Sequence, residues 1–486
     1  MQSVRVHDAG KNDPLLADPK FKHRLSDKYS AATMKFCYQC GTCTAACPIA
    51  KILNIYSPNK IIELANLGVR NLPQSNAFLF CSACMLCTNG CPQGVGVHEI
   101  MQGLKELADD DANIQAFLSN GFDDALEALG REMPFPITYS WVCLYPSDKN
   151  PFGSAVKKAL ESSLKRTRPQ RELPDKDATK IAVIGSGPAG LTAAWELAKN
   201  GFAVTVFERL QELGGMLRNG IPSFRLPKDV VDTEIDRIKD CGVQMKPGTL
   251  VEQGFFEEIV KGGDYAAVFI ASGAGASRKL GIEGEDLQGV VSALDFLREF
   301  NTTGTAKVGK HVIVIGAGNV AMDAAGSAKR CGAETVRLFC RRDYMRAHDW
   351  EIHEIIADGV EINPRFGPKA FLGDGERVTG VEFVGYKSVY DADGKFNPVI
   401  DEKATQTVEA DTVITAIGQG PDLSFLGKGV GTFRGVVQAD PYTMETDLPG
   451  VFAGGDAVLG PASLVEAIAT GKKAADSIMR YLNAKG

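Results

Sequence analysis

The sequence lacks any long apolar run. No stretch of its 486 residues approaches the roughly 20 consecutive apolar residues that a membrane-spanning helix needs. The opening segment, MQSVRVHDAGKNDPLL, also lacks the apolar core of a secretion signal. We therefore expect no membrane span and a cytoplasmic location.

An excess of basic charge is also missing. Lys and Arg number 53 against 60 Asp and Glu, which gives a formal net charge of −7. Because nucleic-acid-binding surfaces are basic, we expect no nucleic-acid partner. The 44% of hydrophobic residues is typical of soluble proteins with full cores, and the length leaves room for about three domains.

Cysteine is scarce in the later part of the chain. Beyond residue 100 only Cys143, Cys241, Cys331 and Cys340 occur, far apart from one another. No C-x-x-C is available there, which excludes the paired thiols that many flavoenzymes reduce. The other eight of the twelve cysteines precede residue 100, and in a cytosolic chain they indicate metal or redox ligands rather than structural disulfides.

Those eight cysteines form two copies of C-x2-C-x2-C-x3-C-P, beginning at Cys37 and at Cys81. This is the spacing of two-cluster bacterial ferredoxins, in which three thiolates bind one cubane and the fourth cysteine binds the other. Two zinc sites are the alternative for cysteine quartets. The predicted ligands of one [4Fe–4S] cluster are Cys37, Cys40, Cys43 and Cys91, and those of the other are Cys81, Cys84, Cys87 and Cys47.

The segments around the motifs are predicted to be helical. Pro58 suits the first turn and Gly68 the C-cap of one helix, and residues 97–109 are predicted to form another. The pattern over residues 30–110 resembles the two-cluster iron–sulfur subunit of heterodisulfide reductase. We therefore expect an all-α cluster domain over residues 1–110, followed by a helical connector over residues 111–177.

A dinucleotide-binding pattern follows, KIAVIGSGPAGLTAAWELAKNGFAVTVFE, starting at Lys180. It gives a buried strand, G-x-G-x-x-G at Gly185, Gly187 and Gly190, a helix, a second strand, and then Glu208. The glycines allow a tight turn, approach of the backbone to a pyrophosphate, and close packing of helix on strand. The helix N-terminus faces the phosphates, and the carboxylate suits the ribose hydroxyls.

A second pattern, HVIVIGAGNVAMDAAGSAKRCGAETVRLFCRR, ends differently. Its G-x-G-x-x-A is formed by Gly316, Gly318 and Ala321, but Arg341 and Arg342 stand where the first pattern has its acid. Guanidinium groups match a phosphate in geometry, which favours NADP(H) over NAD(H). An exposed basic turn without nucleotide selectivity is the alternative.

The last segment of the chain contains Asp456 after a glycine pair, and a helix predicted from about Ser463. The carboxylate suits a ribityl hydroxyl, and the helix N-terminus suits the flavin N1/O2 edge, where charge gathers on reduction. An ordinary capped helix is the alternative. Residues 376–409 are predicted to form a β-hairpin inset.

From Lys180 onwards the chain resembles the small subunit of NADPH-dependent glutamate synthase. The resemblance lies in VIGSGPAGL (183–191), GIPSFRLPKDVV (220–231), ASGA (271–274), GAGNVAMD (316–323), AIGQ (416–419) and AGGDA (453–457). It implies an α/β fold of the flavin disulfide-reductase type, with a Rossmann-like NAD(P)-binding domain inserted in a Rossmann-like FAD-binding domain. The expected domains are FAD-binding over residues 178–304, NAD(P)H-binding over 305–420, and FAD-binding again over 421–486.

The resemblance also implies cofactor-binding residues. Those expected for FAD are Gly185, Gly187, Pro188, Ala189, Gly190, Glu208, Arg209, Gly215, Met216, Arg225, Val251, Gly455, Asp456, Ser463 and Leu464. Those expected for NADP(H) are Gly316, Gly318, Asn319, Val320, Ala321, Arg341, Arg342, Arg346, Ala416, Ile417 and Gly418, with Arg346 a third candidate phosphate ligand.

Together these patterns predict an NAD(P)H-dependent iron–sulfur flavoprotein. Hydride would pass between NADP(H) and FAD, and single electrons between FAD and the clusters, without a catalytic side chain. We expect it to serve as a subunit whose protein partner, or a ferredoxin, docks near the cluster domain. The alternatives are a self-contained reductase of free ferredoxin or a small acceptor, and a flavin-bearing scaffold.

Overall fold

The computed structural model describes residues 20–21, 23, 31–47, 50, 57–69, 81, 86–109, 134–135, 138, 153–164, 174–175, 177–347, 349–391, 396–427 and 429–484. Cys84, most of the first thirty residues and most of the predicted connector lie outside these ranges.

The helices predicted between Pro58 and Gly68, over residues 97–109, after each glycine turn and from about Ser463 are all present, together with others. They are α1 (Thr42–Ala46), α2 (Pro58–Asn66), α3 (Leu86–Asn89), α4 (Val97–Asp109), α5 (Gly153–Leu164), α6 (Pro188–Lys199), α7 (Met216–Asn219), α8 (Lys228–Lys239), α9 (Gln253–Lys261), α10 (Ala293–Thr303), α11 (Asn319–Arg330), α12 (Asp349–Ala357), α13 (Asp456–Leu459) and α14 (Leu464–Asn483), with a 3-10 helix at Ala31–Phe36. None of the helices in the described part of the chain has the length and apolar character needed to span a bilayer.

All the strands lie beyond residue 179 in the described ranges. They are β1 (Lys180–Ile184), β2 (Ala203–Phe207), β3 (Gln244–Lys246), β4 (Ala267–Ile270), β5 (Ala276–Ser277), β6 (Val290–Ser292), β7 (His311–Ile315), β8 (Thr335–Cys340), β9 (Val360–Pro364), β10 (Phe366–Gly373), β11 (Val378–Tyr390), β12 (Phe396–Glu409), β13 (Thr412–Thr415), β14 (Gln419–Gly420), β15 (Thr432–Phe433), β16 (Val436–Val437) and β17 (Val451–Ala453).

The N-terminal region is built from short helices, as predicted. Pro58 occupies the first turn of α2, after an extended Ser57 at the N-cap. On α4 the buried residues Val97, Ile100, Met101 and Leu104 follow helical spacing, so one face of the helix is apolar and packs inward.

Two parallel five-stranded sheets form the rest of the chain. The first has the order β17-β4-β1-β2-β3 and the second the order β6-β13-β7-β8-β9. Central strands such as β1 and β7 are buried over four of their five residues, as a sheet covered by helices on both faces requires. The second unit is inserted in the first, because the chain returns to the first sheet at β17.

The boundary between the two units differs from the sequence prediction. Strand β6 pairs in parallel with β13 of the second sheet, so residues 290–303, including α10, belong with the second unit rather than the first. The chain therefore crosses over near Val290 and not at residue 305. The short strands β5 and β14 pair antiparallel where the chain leaves and re-enters the first unit.

The predicted hairpin is present and is part of a larger sheet. Strands β11 and β12 pair antiparallel on either side of residue 391, and β10 adds a third antiparallel strand. Strand β10 could not be predicted from the sequence, because its buried residues do not alternate regularly with exposed ones.

The cluster region and the first unit share one apolar core. Ile100 and Leu160 belong to the same continuous set of buried residues as Ile181 and Leu191. The Thr138 backbone N–H also donates to the buried Glu234 Oε2 on α8 at 2.7 Å. This packing fixes the cysteine motifs against the first nucleotide-binding unit.

Candidate functional site

The first glycine turn is packed tightly on one side and open on the other. A Cβ on Gly185 would lie 2.3 Å from the Ala271 carbonyl oxygen, and one on Gly190 would lie 2.0 Å from the Gly185 carbonyl oxygen. Gly187 is the N-cap of α6, and a Cβ on this residue would meet nothing within 4 Å. The open space beside the N-terminus of α6 is where a pyrophosphate fits.

Glu208 is held in a fixed position at the end of β2. Its Oε2 accepts from the backbone N–H and the hydroxyl of Ser186 at 2.9 and 2.6 Å, and its Oε1 accepts from the Leu210 N–H at 2.9 Å. The side chain is buried and still lines the cavity beside the turn. An oriented carboxylate at this place suits ribose hydroxyls.

A cavity of about 380 Å³ gathers almost all the residues expected for FAD. Gly190 packs against the Gly185 carbonyl group and Val183 of β1 rather than lining this cavity, and Val251 lines a neighbouring cavity together with Glu208 and Arg209. The expected FAD residues in its wall are Gly185, Gly187, Pro188, Ala189, Glu208, Arg209, Gly215, Met216, Arg225, Gly455, Asp456, Ser463 and Leu464.

The C-terminal part of this cavity holds a buried acid. Burial raises the pKa of Asp456 to about 7, and the nearby Glu466 carboxylate adds to the shift. Ser463 and Glu466 form a reciprocal capping box at the start of α14. The N-terminus of α14 thus borders the cavity.

The second unit contributes to the same cavity. Asn319 and Val320, at the start of α11, lie in its wall. A Cβ on Gly318, the N-cap of α11, would meet nothing within 4 Å, whereas Gly316 packs against the Ala416 carbonyl oxygen. The second turn therefore has the same open side as the first.

The basic residues after β8 lie next to this second turn. Arg346 and Ala347 both donate their backbone N–H to the carbonyl oxygen of Ala317, at 2.6 and 3.1 Å. Arg341 and Arg346 are exposed, and Arg342 is half-buried with its Nη1 3.1 Å from the Tyr344 hydroxyl. Ile417 and Gly418 follow β13 at the same edge of the sheet. This edge can receive a charged phosphate.

The cysteines separate into two groups. Cys37, Cys40, Cys43 and Cys91 surround one small cavity, which is the quartet expected from crosswise ligation. The Cys91 sulfur accepts from the Val95 N–H at 3.4 Å, and such N–H contacts to sulfur tune a cluster. Among the described residues, no group of three or more Cys, His, Asp or Glu side chains lies close enough together to hold a single metal ion.

In the other group, Cys47 and Cys87 are buried, and Cys81 lines the large cavity between the nucleotide units. A cysteine of the second motif therefore borders the space that the FAD residues enclose. The sequence did not predict this position, because it depends on how the helical region packs against the first unit.

Three charged residues at this site were not predicted from the sequence. Asp323 and Glu351 line the cavity, and Glu354 lies buried beside Arg225. Asp323 follows Asn319 by four positions on α11, so helical spacing alone places it on the same face. Near them, burial lowers the pKa of Lys228 to about 7, and the charge of Arg218 adds to the effect.

The fold and this pair of turns define a class of protein. Residues 179–471 match the sequence profile of the pyridine nucleotide-disulphide oxidoreductase family, and residues 36–96 match that of a 4Fe-4S dicluster domain. Two solved structures share the fold of the later part: thioredoxin reductase from Lactococcus lactis, with a TM-score of 0.51 and 22% identity, and FprA from Mycobacterium tuberculosis, with 0.54 and 19%. Each match covers 63% of this chain. The matched region is 99% of the thioredoxin reductase chain and 86% of the FprA chain.

Among curated proteins, the chain is 33% identical to the glutamate synthase [NADPH] small chain of Mycobacterium tuberculosis, over 82% of this chain and 85% of that protein. It is 44% identical to the beta subunit of an NADP(+)-dependent formate dehydrogenase from Moorella thermoacetica, over 62% of this chain and 44% of that one. It is 34% identical to the beta subunit of an NADPH-Fe(3+) oxidoreductase from Geobacter sulfurreducens, over 82% of this chain and 63% of that protein. The chain thus spans less than two thirds of the last two proteins.

The chain belongs to the pyridine nucleotide-disulphide oxidoreductases, and within them to the relatives of the glutamate synthase small chain, with a dicluster domain at its N-terminal side. The predictions of an oxidoreductase, of its fold class, and of FAD, NAD(P) and 4Fe-4S clusters as cofactors are confirmed.

Proposed function

We propose that this chain is an NADP(H)-linked electron-transfer subunit of a larger complex. FAD, when bound, exchanges hydride with NADP(H) and single electrons with the two clusters. The observation that carries the proposal is the position of Cys81, whose side chain borders the cavity lined by Glu208 and Asp456. A ligand of one cluster in this wall gives electrons a short route from the flavin.

The chain's own residues have binding and orienting roles. The N-termini of α6 and α11 bind the two pyrophosphates, Glu208 binds the ribose of FAD, and Arg341 and Arg342 bind the 2′-phosphate of NADP(H). The buried, capped start of α14 orients the flavin ring. Outside the two cluster motifs the sequence has no C-x-x-C that could take electrons from the flavin, so the clusters, when bound, would supply the route for electrons to leave.

The positions of the cysteines support one order for the electron relay. Cys47, Cys81, Cys84 and Cys87 would hold the cluster nearer the flavin-binding cavity. Cys37, Cys40, Cys43 and Cys91 would hold the outer cluster, because Cys40 and the neighbouring Phe36 and Tyr38 are exposed. A protein partner docks at this exposed end. In support, two relatives carry the name of a beta subunit.

The proposal is tested by steady-state turnover of the pure chain. With NADPH, the chain should reduce artificial dyes quickly and convert no metabolite, and metabolite turnover should appear only when proteins encoded beside it are added. Fast and specific turnover of a metabolite or free ferredoxin by the chain alone would show a self-contained reductase instead.

A further inference from the structure

One arginine joins the two nucleotide-binding units at the cavity. Arg225 follows α7 of the first unit and is only 5% exposed. Its Nε donates to Oδ1 of Asp323 on α11, and its Nη1 lies 2.9 Å from Oε2 of Glu354 on α12, both in the second unit. Arg225 and Asp323 both line the cavity, so this ion pair is part of its wall.

Other contacts near Arg225 also hold the segment of residues 219–225 against the second unit. The Phe224 ring packs edge-on against Phe300 of α10, with centroids 6.2 Å apart, and the Arg330 guanidinium lies 3.8 Å over the same ring. The Asn301 Nδ2 donates to the Asn219 carbonyl oxygen at 3.2 Å. Residues 219–225 of the first unit are thus fixed to three helices of the second.

A role in stability alone explains this ion pair poorly. The free energy lost by taking two charges out of water is about as large as the free energy gained from their attraction. Apolar residues of similar size therefore often stabilise a protein equally well at such a position. A guanidinium paired with carboxylates does supply a defined direction, because its donors are planar and rigid. The pair therefore fits a place where orientation matters.

We propose that Arg225 is a positioning residue, oriented by Asp323 and Glu354, which fixes the distance between the flavin and nicotinamide walls of the cavity. In the step it serves, a hydride leaves C4 of NADPH with both electrons of the C–H bond and forms a bond to N5 of FAD. NADPH is oxidised, FAD is reduced, and Arg225 keeps its protons. This inference rests on the proposed hydride exchange, and it differs from the direct contact with FAD that the family resemblance implies.

The test uses the full-length chain and four variants. They are Arg225→Met, Asp323→Asn, the double variant Arg225→Met/Asp323→Leu, and Arg337→Met as the control. The control removes an arginine of β8 that is paired with Glu361 at 3.1 Å at the surface, away from the cavity wall, so it leaves no buried charge unpaired. The double variant removes both charges of the Arg225–Asp323 pair, and Glu354 keeps its ion pair with Arg330 at 3.7 Å. No carboxylate is therefore left buried alone, and the double variant folds even where a single variant fails.

Four quantities are measured: the rate of flavin bleaching at saturating NADPH, the Kd of NADP⁺, the FAD content, and the thermal midpoint. A misplacement of about 1 Å costs roughly 100-fold in rate, so we expect both single variants and the double variant to bleach roughly 100-fold more slowly. The Kd and the FAD content should stay as in the unmutated chain, and the losses should not add in the double variant.

Two results would overturn the inference. One is bleaching at the unmutated rate in the folded double variant. The other is loss of FAD from Arg225→Met but not from Asp323→Asn, which would make Arg225 a direct ligand. If NADPH does not bleach the flavin of the unmutated chain, the proposed function itself fails, and this inference with it.

Discussion

Cys81 and Glu208 line one cavity, although the first belongs to an iron–sulfur motif and the second to a nucleotide fingerprint more than a hundred residues later. The shared apolar core between the helical region and the first sheet holds the two in this relation. Electron exchange between flavin and cluster requires such proximity.

Two matched glycine variants should separate the two nucleotide sites. A methyl group on Gly187 or Gly318 would meet no protein atom within 4 Å, so neither substitution should disturb folding. Gly187→Ala should lose FAD because the methyl group occupies the pyrophosphate space, whereas Gly318→Ala should keep FAD and bind NADP⁺ weakly. FAD content and NADP⁺ titration measure these effects.

The control for that pair is Gly190→Ala, where the new methyl group would collide with the Gly185 backbone. This variant should lower the thermal midpoint whatever ligand is present. If Gly187→Ala retained FAD at the unmutated affinity, the assignment of the first turn to the pyrophosphate would be wrong.

Arg341 and Arg342 are predicted to select NADP(H). Each charge-assisted contact with the 2′-phosphate contributes about 1.5–3 kcal/mol. Replacing both arginines with glutamine should raise the KM for NADPH strongly and that for NADH little. Arg337→Gln, on the preceding strand β8 and paired with Glu361 at 3.1 Å, is the control. Equal use of both nicotinamides by the unmutated chain would refute this prediction.

Crosswise ligation predicts which cluster depends on Cys47. Cys47→Ala should damage the cluster bound mainly by the second motif, although Cys47 belongs to the first. Iron analysis should find about eight irons in the unmutated chain and fewer in the variant. Electron paramagnetic resonance spectra would then show which cluster changed, and loss of only the outer cluster would contradict the ligand assignment.

Flavin reduction should depend on pH through Asp323. Burial raises the pKa of Asp323 to about 6 despite the attraction of Arg225, with Glu354 also raising it and Lys228 opposing the shift. At pH 7 the carboxylate is ionised and holds Arg225, so bleaching by NADPH should slow as the pH falls through about 6. Asp323→Asn should be slow at every pH, and a steep profile in that variant would assign the titration to another group.

The raised pKa also has a consequence for stability. The native state keeps the proton on Asp323 up to about pH 6, whereas the unfolded chain releases it near pH 4. The contribution of this group to the free energy of unfolding therefore falls as the pH rises through that window. Asp323→Asn should remove this part of the pH dependence.

The nucleotide turns could be predicted from the sequence because their causes are local. Gly185, Gly190 and Glu208 belong to one strand–helix–strand segment, in which a few residues decide turn, packing and binding. The cysteine motifs are local in the same way. The strands and helices predicted in these segments therefore agree with the structure to within a few residues.

The rest depends on contacts between distant segments. The Arg225–Asp323 pair links residues 98 positions apart, and the sequence around either residue does not indicate which residue it pairs with. The position of Cys81 depends on the docking of the helical region. The boundary near Val290 could not be placed from the sequence because β6 is only three residues long, too short for a periodic signal.

The most direct measurement follows the clusters after NADP⁺ is added to the fully photoreduced chain. We expect the cluster signal in electron paramagnetic resonance to disappear together with the reduced-flavin absorbance, and NADPH to form in proportion to the electrons lost. In Gly187→Ala, without FAD, the clusters should stay reduced. Reoxidation of the flavin alone, with the cluster signal unchanged, would contradict electron exchange between flavin and clusters.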